Sequence, residues 1–151
     1  MPELNRPKHV YEIYIRTTPE DLWRAITDPL FIKQYFFGQT VGSDWRVGSP
    51  YTHRAPDGTA TIDGTILEID PPRRLVHSFT CPGKEETKGD RATRVTWLIE
   101  KLGETCRLTL IHGDFEGETA TFKNVGKGWS EVLSGLKTLL ETGVPLVIGA
   151  A

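Results

Sequence analysis

Lys127-Gly128-Trp129-Ser130-Glu131-Val132-Leu133-Ser134-Gly135-Leu136-Lys137-Thr138-Leu139-Leu140-Glu141-Thr142 is the stretch that decides the fold. Trp129, Val132, Leu133, Leu136, Leu139 and Leu140 recur at three-and-four spacing, with Ser130, Glu131, Ser134 and Lys137 opposite. That pattern predicts an amphipathic helix from about Lys127 to Thr142 with one apolar stripe. Gly143 and then Pro145 stop it. Such a stripe must be buried against another layer, and the preceding sequence supplies a sheet.

Five segments before the helix read as strands: Trp45–Arg54, Thr61–Asp70, Arg74–Thr80, Arg94–Glu100 and Arg107–Phe115. Turn chemistry separates them at Pro56-Asp57-Gly58, Pro71-Pro72, the charged Pro82–Ala92 loop and Leu102-Gly103-Glu104. Short turns between successive strands predict an antiparallel meander. The Pro82–Ala92 loop is long and polar and carries two glycines, so it is expected to be mobile.

Upstream, Val10 to Arg16 alternates as a half-buried strand. Thr18 can cap a helix, Pro19 suits its first position, and Glu20 and Asp21 face its positive end. A short helix over Pro19 to Thr27 follows from this. Asp28-Pro29 opens a second, Pro29 to Phe37, which Gly38 ends. The order strand, two short helices, five or six strands and long helix predicts an α+β, two-layer protein.

Bulk properties narrow the function classes. The 151 residues suit one domain, with an ordered core from about 9 to 145. The formal net charge is -2 with both signs interspersed, which argues against nucleic acid and anionic membranes as partners. Cys81 and Cys106 match no CxxC spacing and read as reduced thiols of a cytoplasmic protein. Met1 to Lys8 is polar and Pro-rich, unlike a secretory leader, and no apolar run approaches the roughly 20 residues of a membrane span.

Several ordered fragments carry a resemblance. They are Val10-Tyr11-Glu12-Ile13-Tyr14-Ile15; Pro19-Glu20, Trp23 and Ala25-Ile26-Thr27-Asp28-Pro29; Arg46-Val47-Gly48 and Asp57-Gly58; Gly64 and Ile66-Leu67-Glu68-Ile69-Asp70-Pro71-Pro72-Arg73-Arg74-Leu75; Arg107-Leu108, Leu110 and His112; and Gly128-Trp129, Val132-Leu133 and Leu136. In this order and at this spacing the chain resembles the START-like (SRPBCC, polyketide cyclase-like) superfamily, and within it the homologues of the heat-shock protein 90 ATPase activator. The resemblance implies a helix-grip fold, a curved antiparallel sheet of about six strands around a long C-terminal helix, with a cavity between them. It does not imply one activity, since members include lipid carriers, cyclases and protein-binding subunits. The chain departs from the family in having Tyr35-Phe36-Phe37 where tryptophan is common, and His53 and His77 at inward positions that are often aromatic.

Strand parity sorts inward from outward residues. The inward set is Tyr51 and His53; Ile62, Gly64 and Ile66; Leu75, His77 and Phe79; Val95, Trp97 and Ile99; Leu108, Leu110 and His112. With Trp129 and Leu133 from the helix, the candidate ligand-binding residues are Tyr51, His53, Ile66, His77, Phe79, Trp97, Leu110, His112, Trp129 and Leu133. Aromatic walls with a few polar groups suit a small apolar molecule, although residues of these types more often simply fill a core. Three inward histidines, His53, His77 and His112, could in principle hold zinc or move protons. Without a close-spaced metal motif, hydrogen-bonded polar lining is the plainer reading, and no metal or cofactor is expected. His9 is expected to be exposed before the first strand, and Asp114 and Glu116 are placed at the cavity rim or in a solvated loop.

Three functions are compatible with this reading. The first is binding of a small hydrophobic or aromatic molecule in the cavity. The second is a chaperone-type protein interaction through the outer sheet face or the Pro82–Ala92 loop. The third is a cyclase or hydrolase using the inward histidines or Tyr51.

Overall fold

The alternation His9-Val10-Tyr11-Glu12-Ile13-Tyr14-Ile15 forms strand β1 (His9–Ile15) of the computed structural model, which describes residues 6–149. The reading of Met1 to Lys8 therefore falls largely outside the described residues. Helices α1 (Pro19–Thr27) and α2 (Pro29–Tyr35) follow as the capping residues predict. Thr18 accepts from the backbone N–H of Asp21 at 3.1 Å, and Asp28 accepts from that of Leu30 at 2.8 Å. Next come strands β2 (Thr40–Gly42), β3 (Pro50–Arg54), β4 (Ala60–Asp70), β5 (Arg74–Phe79), β6 (Thr93–Leu102) and β7 (Thr105–Gly113), then helix α3 (Ala120–Thr142).

All strand pairs are antiparallel, in the order β1-β7-β6-β5-β4-β3-β2. The meander is as expected, with seven strands where about six were predicted. The added strand, β2, spans three residues, too few for alternation to register. The sheet bends where register shifts in β3–β4 and in β4–β5. Gly64 lies at this bend, and a Cβ there would fall 2.0 Å from the Ser78 carbonyl oxygen, so only glycine admits β5 so close.

Several boundaries differ from the sequence reading. The strand predicted from Trp45 begins only at Pro50. Trp45 and Gly48 have φ of 55° and 90°, and Ser49 Oγ donates to the Arg46 carbonyl at 2.7 Å, closing a turn that alternation cannot reveal. Helix α2 stops at Tyr35 because Phe37 and Gly38 both turn left-handed. The last strand ends at Gly113, since Asp114 has φ of 65°.

The largest difference is α3, which begins at Ala120 rather than Lys127. Gly126 and Gly128 lower intrinsic helix preference there by about 1 kcal/mol each, so periodicity alone stops short. The start is fixed by caps instead. Thr119 Oγ1 accepts from the N–H of Phe122 at 3.2 Å. Asp90 Oδ2 accepts from the N–H and the hydroxyl of Thr121 at 3.0 and 2.7 Å. The Pro82–Ala92 loop, predicted to be mobile, is thereby tied to the helix. Thr87, buried within it, donates to the Cys81 carbonyl at 2.8 Å.

The layers close through the stripe that the sequence shows. Trp129, Val132, Leu133, Leu136 and Leu139 are buried. Each contributes roughly 1.5–3 kcal/mol, together comparable to the about 5–15 kcal/mol net stability of a domain. Gly135 lets α2 approach, since a Cβ there would lie 3.1 Å from Tyr35 Cβ. No helix among the described residues is long and apolar enough to cross a membrane.

Candidate functional site

Parity predicts the inner face of the sheet well, because the bulges fall beside the inward residues without inverting them. All ten candidate residues are buried. Eight of them, however, lie inside a filled aromatic core. Phe79 and Trp129 are the two that also wall an open cleft.

The core is held by three hydrogen-bonded histidines. Trp97 Nε1–H donates to His77 Nε2 at 3.1 Å, and His77 Nδ1–H donates to the Ser78 carbonyl at 2.9 Å. Trp129 Nε1–H donates to His112 Nδ1 at 2.9 Å. His112 Nε2–H then donates to Thr93 Oγ1 at 2.8 Å, and the Thr93 hydroxyl donates to the Phe79 carbonyl at 3.1 Å. An indole N–H can only donate, so the tautomers of His77 and His112 are fixed. Gln39 Oε1 accepts from Thr61 and also from His53 Nδ1–H, at 3.0 and 3.2 Å. His53 Nε2 is then left to accept from the Tyr51 hydroxyl at 3.0 Å.

Ring packing reinforces these bonds. Tyr51 stacks on His77 with centroids 3.9 Å apart, Phe36 lies 4.5 Å from His53, and Trp97 meets Trp129 edge-on at 5.6 Å. Burial pushes His53 and His112 down to about 3 and His77 to about 4, so all three are neutral at ordinary pH. Burial likewise pushes the Tyr51 phenol well up. Both nitrogens of each imidazole are engaged within the protein, which leaves no lone pair for an ion or a substrate proton. Among the described residues no group of three His, Cys, Asp or Glu side chains has a metal-holding arrangement. No buried polar side-chain atom among them lacks a partner.

His9 is not the exposed residue the sequence predicts. It opens β1, is half-buried, stacks on Phe122 at 4.2 Å and bonds through Nε2 to the Phe122 carbonyl at 2.8 Å. The early start of α3 creates this contact. A Cβ at Gly126 would lie 3.0 Å from His9 Cε1, so any larger residue there would press on the imidazole and shift it from its stack on Phe122. Asp114 and Glu116 lie away from the cleft lining. The Asp114 carbonyl instead accepts from Arg91 at 2.8 Å.

The cleft, of about 390 Å³, opens above this core between the first half of α3, the end of α2 and the β5–β6 loop. Phe36, Phe37, Ile62, Phe79, Val125 and Trp129 give it apolar walls. Lys84 enters the lining from the β5–β6 loop and Lys127 from α3, with Glu131 one helical turn beyond Lys127. None of these three forms an ion pair with a described residue. Cys81 also lines the cleft, and burial pushes its thiol up to about 11, so it stays protonated at neutral pH. Sequence reasoning missed most of this lining because it comes from loops and from the unpredicted helical turns. The signal available was the aromatic run Tyr35-Phe36-Phe37 ahead of Gly38, which supplies two of the walls.

The fold has counterparts among known structures. The crystal structure of CalU16 from Micromonospora echinospora matches over 90% of this chain and 77% of its own, at 24% identity and a TM-score of 0.72. PFC0360w, an HSP90 activator from Plasmodium falciparum, matches over 88% and 95%, at 21% identity and 0.72. The solution structure of ChR145 from Cytophaga hutchinsonii matches over 89% and 94%, at 29% identity and 0.69. No curated protein matches the sequence at a significant level. The family model described as "Activator of Hsp90 ATPase homolog 1-like protein" matches residues 16–141, from the end of β1 to the last turn of α3, and the chain belongs to that family, as the ordered fragments of its sequence imply.

Proposed function

We propose that the chain binds a small, mostly apolar molecule in the cleft at the mouth of the helix-grip, rather than in a void behind the sheet histidines. The observation that carries this reading is the contrast in contents. Beneath the cleft, every candidate polar atom is satisfied and the rings interlock. Above it, about 390 Å³ stands open between apolar walls. That space is within the range of small-molecule sites. Catalysis by His53, His77 or His112 is disfavoured, because each would first have to give up an internal hydrogen bond.

Native mass spectrometry of protein purified from cells tests the proposal. A retained small molecule is expected, and it should be lost from Val125→Trp, which fills the wall from the helix side. Failure to retain any molecule, together with failure of N-phenylnaphthylamine to fluoresce on addition, would sink the reading.

A second reading is an interaction with an Hsp90-type chaperone. Family membership supports it, as does an apolar tail after α3 whose Val144, Val147 and Ile148 are 62%, 73% and 51% exposed. Stimulation of the ATPase of the cognate chaperone would support this role, and no stimulation with no detectable complex would remove it.

A further inference from the structure

Helix α3 contains four glycines in its described length if its cap is counted, and three lie in its interior: Gly126, Gly128 and Gly135. Interior helical glycine is unfavourable relative to alanine, so each calls for a reason. At Gly126 the reason is His9, and at Gly135 it is Tyr35. At Gly128 a Cβ would meet no heavy atom within 4 Å, and the residue lines the cleft. Nothing in the protein's own packing explains it. A molecule lying against the helix backbone would.

The charges around this bare point have one sign in excess. Lys84 reaches the cleft from the β5–β6 loop and Lys127 from α3, with Glu131 as the carboxylate on its lining. Two cations without ion-pair partners among the described residues, from two different elements lining an apolar slot, against one anion, favour a ligand with a negative head and an apolar body.

We propose that the cleft takes an amphiphile carrying one acidic group. Its apolar body lies over Gly128 against Trp129 and Phe36, and its anionic head sits between Lys84 and Lys127. This rests on the cleft reading above and adds the ligand's charge and the role of Gly128.

Two probes with the same ring system test it. Anilinonaphthalene sulfonate carries the anion and N-phenylnaphthylamine does not. In the full chain, Lys84→Gln with Lys127→Gln should weaken the sulfonate by about tenfold, a loss consistent with two exposed charge contacts, and change the neutral probe by less than about twofold. Glu131→Gln should tighten the sulfonate by about twofold.

Gly128→Leu should abolish binding of both probes. Gly128→Ala should weaken both while raising the melting temperature by about 2–4 °C, because the helix gains preference. A rise in stability with a fall in binding cannot come from misfolding, and Gly128→Ala keeps the test valid should the leucine variant fold poorly.

Sulfonate binding that ignores both lysine changes, with the neutral probe still bound, overturns the acidic head alone. Probe binding undiminished in the Gly128 variants overturns the bare-helix contact. If neither probe binds the unaltered protein, the acidic-amphiphile proposal fails, and the cleft reading fails with it when no molecule is retained from cells.

Discussion

The closed core and the open cleft share Trp129 and Phe79 yet treat polar groups in opposite ways. In the core, Tyr51, His53, His77, Thr93, Trp97 and His112 are paired with one another, with the side chains of Gln39 and Trp129, or with backbone. At the cleft, Lys84, Lys127 and Glu131 are paired with no described residue and face outward. A buried polar group without a partner costs about 1–3 kcal/mol, so the core can keep its histidines only as a completed network. Exposed charges carry no such penalty and are free for a visitor. The difference assigns stability to the core, and it is at the cleft that the proposed ligand would be recognised.

Acid should break the core first, with the largest effect. The folded-state values of His53, His77 and His112 lie below the ordinary 6.5 because burial disfavours their charged forms. The unfolded chain therefore binds more protons, and stability falls as pH drops from about 6.5 towards 4. Each histidine contributes about 1.4 kcal/mol per pH unit in that window. Between pH 7 and 5 the three together remove on the order of 6 kcal/mol. Urea unfolding at pH 7, 6 and 5 measures this, and a flat profile would show that the imidazoles are not held neutral.

The next effect separates the two regions at one of the residues they share. Trp129→Phe keeps a ring on the cleft wall but removes the N–H that His112 Nδ1 accepts. It should cost about 1–3 kcal/mol in urea unfolding while leaving binding of N-phenylnaphthylamine within about twofold. Equal losses in stability and in probe binding would show that core and cleft are one unit.

How much of this was legible follows from the kind of signal each part carries. The stripe from Trp129 to Leu139 and the alternation in β6 and β7 are periodic, so the layers and the inner face could be read directly. Thr18 and Asp28 announce their helices by local chemistry, and α1 has the predicted bounds. The cleft depends on features with no period. Asp90 caps α3 from 31 residues away, and Gly126 makes sense only once His9 is seen against it. The histidines were placed on the right face, but their satisfaction depends on Trp97 and Trp129 from other elements, a tertiary fact.

The smallest effect concerns Phe37, which separates the cleft from a second groove against the tail residues Leu146 and Ile148. Its φ of 54° is a conformation that costs a side-chain-bearing residue about 1–2 kcal/mol, and the residue is 55% exposed, so little burial offsets that strain. Phe37→Gly relieves the backbone but adds freedom to the unfolded chain, and the two nearly cancel, for a net change within about 1 kcal/mol. Phe37→Ala keeps the strain and loses the ring, so it should be less stable than the glycine variant by about 1 kcal/mol. Both remove the same aromatic wall and should weaken N-phenylnaphthylamine equally. Unequal probe binding would mean that the backbone at 37, rather than its ring, shapes the cleft, and the division between a rigid core and an open mouth would then have to be drawn one residue deeper, at Phe36.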